Sequence, residues 1–241
     1  MRTALCKTRT GRLIMDDHYG GRELSRNAPN ASGRKPSRKT EMVQARILDA
    51  AAKVFSVKGY QLTKLSDIAA TIDVHVTALR YHFATKDVLV EEMMNSLVLY
   101  VSAQLREAVA QLPHDASPRA KIEAAARAFT RSTLGKPEYM SAHANVFNQV
   151  PADMRERHLV HLRKSNAFWR ALVEEAATAG DLRSDLNLSL ATQILMGTLI
   201  WTREWYKPGM STPETIAEQI LAILFDGLAP PDQRAAACGR K

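Results

Sequence analysis

The chain has 241 residues, 46% of them hydrophobic and 6% aromatic, enough to bury a real core in one or two small domains. Its net charge is +8, yet residues 1–40 hold ten Lys or Arg against three acids, leaving the other 201 residues a net charge of only +1. Cys6 and Cys238, near opposite ends, exclude a disulfide framework and fit a reducing cytoplasm. The longest apolar run, residues 194–201, is too short to span a membrane, and the N-terminus lacks the apolar segment of a signal peptide.

Residues 1–38 are rich in Arg, Gly, Ser and Asn and hold no helical or strand period, so they read as a disordered basic arm. Two uses stay open for it: phosphate contacts beside a DNA site, or a leader without a role, since Met15 and Met42 offer later starts. A first helix is expected over 39–58. Ile47, Leu48, Ala51, Val54 and Phe55 form its apolar stripe, and Gly59 is placed to close it in the left-handed conformation.

Two short helices follow, 64–71 and 76–83, joined by a turn at Asp73. Thr63 is the expected N-cap of the first, whose buried face is Ile68, Ala69 and Ile72. Leu79 and Phe83, four apart, mark the buried side of the second. His75, Val76, Thr77, Arg80 and Tyr81 are left facing outward. A helix-turn-helix presents such a mixed set to the major groove.

Beyond it the periodicity is helical throughout. Thr85 should cap a long helix over 87–112, and Ser117-Pro118 starts another that runs to about 134. A shorter helix over 139–149 and a long one from Pro151 to Gly180 come next. An apolar helix over 188–206 and a last one from Thr212-Pro213-Glu214 to Gly227 follow, with a disordered tail over 229–241. The expected fold is all-α: a three-helix helix-turn-helix DNA-binding domain over 39–86, then a helical ligand-binding and dimerisation domain over 87–228.

In ARILDAAAKVFSVKGY, then T-x4-IA, then V-x4-L-x2-HF-x2-K, the chain resembles the TetR family of bacterial transcriptional regulators. The agreement is dense over 44–89 and thin afterwards. The resemblance implies a cytoplasmic homodimer that binds double-stranded DNA at a palindromic operator and needs no cofactor. Carried over, the DNA-binding set is Thr63, Lys64, His75, Val76, Thr77, Arg80, Tyr81, His82 and Lys86. Three departures bear on it: Asp73 stands where the family usually has Gly, His75 replaces the usual Ser or Thr cap, and Leu79-Arg80 replaces a Leu-Tyr pair.

The last two helices are apolar nearly all round, so a second copy of the chain is expected to cover them, as in the family's two-fold bundle. The resemblance also makes Met94, Phe129, Tyr139, Phe147, Phe168 and Trp169 candidate walls of a ligand pocket. The stretch WTREWYKPG over 201–209 is similar to one in a TetR subgroup that includes regulators of fatty-acid and sterol breakdown, some answering to coenzyme A thioesters. An acyl-CoA or another bulky apolar ligand is therefore one expected partner, with Arg127, Arg131, Arg163 or Lys164 available for its phosphates.

Other chemistry finds little support. His158 and His161 share a helix face, but no third ligand stands at a diagnostic spacing, and Arg155, Arg157 and Arg163 read as an ordinary charged surface. No nucleophile elbow is present, and Glu91-Glu92 and Glu174-Glu175 are neighbours whose side chains diverge. No metal and no catalytic residue is expected. The reading is a DNA-binding regulator, a repressor released by a small apolar ligand; the rival is a helical ligand carrier or enzyme with a vestigial DNA-binding domain.

Overall fold

The computed structural model describes residues 37–228, and among them it contains nine α-helices and no strand. Apart from Ser37 and Arg38, the basic arm and the tail lie outside the described residues. Helix α1 (Arg38–Leu62) begins with Ser37, whose hydroxyl accepts from Thr40 N–H at 3.3 Å, so these two residues belong to the helix start and not to the arm. Ile47, Ala51 and Phe55 are buried along it, and Gly59 breaks it at φ 67, ψ −173. Only Gly adopts that conformation readily.

Helices α2 (Leu65–Thr71) and α3 (Val76–His82) complete the three-helix unit. Ile68, Leu79 and Phe83 join Ile47 and Phe55 in its core. Helix α4 (Lys86–Ala110), capped by the Thr85 hydroxyl, then runs on with Leu89, Met93, Leu97 and Leu105 buried along its length. It therefore belongs to both halves of the molecule.

Helices α5 (Pro118–Leu134), α6 (Pro137–Phe147) and α7 (Ala152–Thr178) pack on α4. Helix α6 starts two residues earlier than its periodicity implies, because Pro137 serves as a first-turn residue. Ion pairs supplement the apolar contacts. Arg157 on α7 grips Glu91 on α4 through two bonds of 2.7 and 2.9 Å, and Arg131 on α5 reaches Glu214 at 2.6 Å.

Helices α8 (Leu188–Trp205) and α9 (Pro213–Leu228) close the domain. Leu195, Met196 and Leu199 of α8 point into the core, while Leu190, Ile194 and Trp201 are more than half exposed. Within one chain, α8 is covered on one side only.

Candidate nucleic-acid interface and effector domain

The start of α2 is fastened to α1. The Asp67 carboxylate accepts from Lys64 N–H at 3.0 Å and pairs with Lys58 at 3.1 Å, and these contacts hold it below the usual carboxylate range. Lys64, not Thr63, occupies the N-cap position. Thr63 is 1% exposed and its hydroxyl donates to the Gly59 carbonyl at 2.6 Å. The residue expected as a cap and a DNA contact therefore has its side chain inside, tying off the break in α1.

The turn is built on Asp73 at φ 53, with Val74 N–H closing it onto the Ala69 carbonyl at 3.1 Å. His75 then caps α3: its Nδ1 accepts from Thr77 N–H and lies 2.9 Å from the Thr77 hydroxyl. A histidine here replaces a hydroxyl without loss of the cap. With Leu79 buried, His75, Thr77, Arg80 and Tyr81 are exposed on the opposite face, and Lys64 is exposed at the start of α2.

The remaining predicted contacts sit at the margin. Val76 is half-buried against the core. His82 lies edge-on to Tyr81 at 5.2 Å, and its partial burial lowers its pKa. Lys86 donates to the Tyr60 carbonyl at 2.9 Å and lies over the Tyr60 ring.

Of the six residues expected around a ligand, Met94, Phe129, Tyr139 and Trp169 belong to the one continuous core and Phe168 packs against it. Met94 and Trp169 are fully buried, and Phe129 meets Trp169 edge to face at 6.0 Å. Tyr139 reaches across to α1, donating to Asp49 at 2.8 Å. Phe147 stacks on His143, and Phe168 lies under the Arg106 guanidinium. A cavity of about 340 Å³ lies elsewhere, between the α7–α8 loop, α8 and α9, and none of the six lines it. Leu182, Leu190, Ile194, Leu195, Leu221 and Phe225 give it an apolar wall. Of the cations expected to meet phosphates, Arg127 and Arg131 face acids on α9, and Arg163 faces Glu156 at 3.7 Å.

Two polar clusters had no signature in the sequence. His158, read as part of a charged surface, is fully buried: its Nε2 is 2.8 Å from His143 Nε2, and its Nδ1 is 2.7 Å from the Asn95 side-chain oxygen. Burial holds His143 down to about 4, helped by Arg203, and burial with its neighbours His143 and His161 holds His158 down to about 3. The second cluster couples α6 to the DNA-binding unit. The Gln149 side-chain oxygen accepts from Tyr60 N–H at 3.0 Å and Gln61 N–H at 3.2 Å, while Asn145 donates to the Ser56 carbonyl at 2.6 Å. A side chain at Gly59 would collide with the Gln149 amide, its Cβ lying 2.8 Å from the nitrogen.

Residues 47–93 match the family described as bacterial regulatory proteins, tetR family, and residues 115–228 match the tetracyclin repressor-like C-terminal domain. Over 206 residues the chain is 30% identical to the HTH-type transcriptional repressor KstR2 of Rhodococcus jostii, covering 85% of this chain and 97% of that protein. The chain belongs to the TetR family. It is a DNA-binding transcriptional regulator of that family, with the family's helical C-terminal domain. The ketosteroid transcriptional regulator KstR2 of Mycobacterium tuberculosis has the same fold, with a TM-score of 0.69 at 20% identity, over 83% of this chain and all of that one. A structure of AibR in complex with isovaleryl coenzyme A and operator DNA is similar at a TM-score of 0.66 and 23% identity, over 76% of this chain and 97% of that one. Among the described residues no helix is long and apolar enough to cross a membrane.

Proposed function

We propose that this TetR-family regulator is a homodimeric repressor that occupies a two-fold symmetric operator in the cytoplasm and leaves it when a small apolar ligand binds. It acts by binding, not by catalysis. The observation that carries the reading is the outward face of α3: His75, Thr77, Arg80 and Tyr81 stand exposed together, on a helix whose other side is locked by Leu79. A symmetric dimer presents two such helices, so the operator should contain two half-sites one or more helical turns apart.

The sense of regulation follows the relatives named as repressors. The ligand class follows the apolar cavity and the neighbour crystallised with an acyl-CoA. A coenzyme A thioester would place its acyl part in an apolar chamber of the C-terminal domain and leave its phosphates to surface cations. Footprinting on upstream DNA tests the first part: two protected half-sites related by a dyad are expected, and a single asymmetric site would reject the dimer reading. Thermal shift with acyl-CoAs of several chain lengths and the matching free acids tests the second. Stabilisation by the acids alone would reject the thioester, and no response to either would reject the ligand class.

A further inference from the structure

We propose that His75 fixes the hydrogen-bond polarity of the recognition face, making its own Nε2 a donor and the Thr77 hydroxyl an acceptor toward DNA. This rests on α3 being the DNA-reading helix. A backbone N–H can only donate, so the Nδ1 that accepts from Thr77 N–H at 3.4 Å carries no proton. In a neutral imidazole the proton then sits on Nε2. The same bare Nδ1 lies 2.9 Å from Thr77 Oγ1 and has no hydrogen to give, so its single lone pair is shared: the hydroxyl donates its only proton along the shorter contact and the backbone N–H donates along the longer one.

A threonine hydroxyl ordinarily rotates to suit its partner and reads donors and acceptors alike. Thr77 has lost that freedom. Its remaining lone pairs are accessible, because both His75 and Thr77 are exposed. They match a major-groove amino group, adenine N6 or cytosine N4, and they mismatch guanine O6, thymine O4 and every phosphate oxygen. His75 Nε2–H has the opposite requirement. It needs an acceptor, supplied by a base edge or by a phosphate.

Binding-site selection with the full-length protein and the variants Thr77→Val and His75→Ser tests this. Serine supplies a capping oxygen of its own, so the helix start is kept while the ring is removed. The wild type should select adenine or cytosine at one position of each half-site, by about tenfold over guanine or thymine. Thr77→Val should lose that preference. His75→Ser should relax it to admit guanine or thymine, since the freed hydroxyl can donate again; a mere capping role would leave the preference unchanged. His75→Asn, which also caps, serves if the serine variant does not fold.

Sites with one phosphate replaced by a neutral methylphosphonate separate the two sources for His75. A wild-type loss of about tenfold that His75→Ser does not share assigns the phosphate. A second base position altered in His75→Ser assigns a base edge, and the absence of both results overturns the donor half. A Thr77-dependent preference for guanine or thymine, or one that survives His75→Ser unchanged, overturns the acceptor half. A wild type that selects no sequence overturns the DNA-reading assignment and this proposal with it.

Discussion

Burial, reinforced by Glu91, pushes the Glu92 carboxyl up to about 7, while burial holds His143 near 4 and His158 near 3. The two effects oppose each other as pH changes. An unfolded imidazole titrates near 6.5, so below that pH the unfolded chain takes up protons that the buried pair refuses, and stability falls toward pH 4. Glu92 behaves the other way. Between pH 7 and about 4.5 the folded state binds its proton first, so stability rises as pH falls through that window. Glu92→Gln should therefore stabilise the protein at pH 8, by up to roughly 3 kcal/mol, and the gain should vanish near pH 4.5. Urea unfolding at the two pH values checks this, and an equal gain at both would show that the charge is not the cause. His158→Gln should flatten the fall between pH 6.5 and 4 by about 1.4 kcal/mol per pH unit while lowering stability at pH 8, because Asn95 and His143 lose their partner. Asp73 offers a simpler test. Its φ of 53 is a conformation glycine adopts without strain, so Asp73→Gly should leave stability unchanged or raise it by at most about 1 kcal/mol, whereas Asp73→Val should lower it, both read from thermal unfolding.

Helix α6 is the element through which the two halves of the chain grip each other. Its C-terminal end holds the last turn of α1 through Gln149 and Asn145, its N-terminal end holds α1 through Tyr139 and Asp49, and its middle is held to α7 and α4 by His143, His158 and Asn95. These contacts tie the unit carrying α3 to the C-terminal helices. Gln149→Ala should cost about 1–2 kcal/mol, because Tyr60 and Gln61 lose the acceptor for their N–H groups. Hydrogen exchange reads the effect directly: both amides should lose protection in the variant while those of α9 keep it. Unchanged exchange at Tyr60 and Gln61 would show that the side chain does not hold α1. Helix α6 also shows where sequence reading reaches its limit. The helices were legible because caps and stripes are local: Ser117-Pro118, Thr85, and the repeat of Leu89, Met93 and Leu97 each speak for their own segment. The exposed face of α3 was legible for the same reason. Gln149 meets residues nearly ninety positions away, and nothing in a run of Asn, Gln and Val announces that contact. His158 was misread because its arginine neighbours describe the other faces of α7, and only the packing shows which face turns inward.

On the scale of the whole molecule, the last two helices carry a continuous run of exposed apolar side chains. Leu190, Ile194, Trp201 and Trp205 follow one another at helical spacing along α8, each at least 40% exposed, and Ile223 on α9 is 72% exposed. Gly197 lies within this stripe with open space where a side chain would stand, so another helix can approach closely there. The apolar cavity opens on the same side, with Leu190 and Ile194 in its wall. A monomer seldom leaves so much contiguous apolar surface in water, and a second copy of the chain covers it in the dimer proposed above. Trp201→Glu places a charge at the centre of that stripe without touching the core, since Leu195 and Leu199 face the other way. The expected result is a folded monomer, seen as a halved mass by light scattering with an unchanged helical circular dichroism spectrum. Its recognition helix is intact, but it reaches only one half-site at a time. Operator affinity should therefore fall by about two orders of magnitude or more, as expected when the second contact is no longer intramolecular. A variant that remains dimeric and binds the full operator as tightly as the wild type would place the dimer contact on another face.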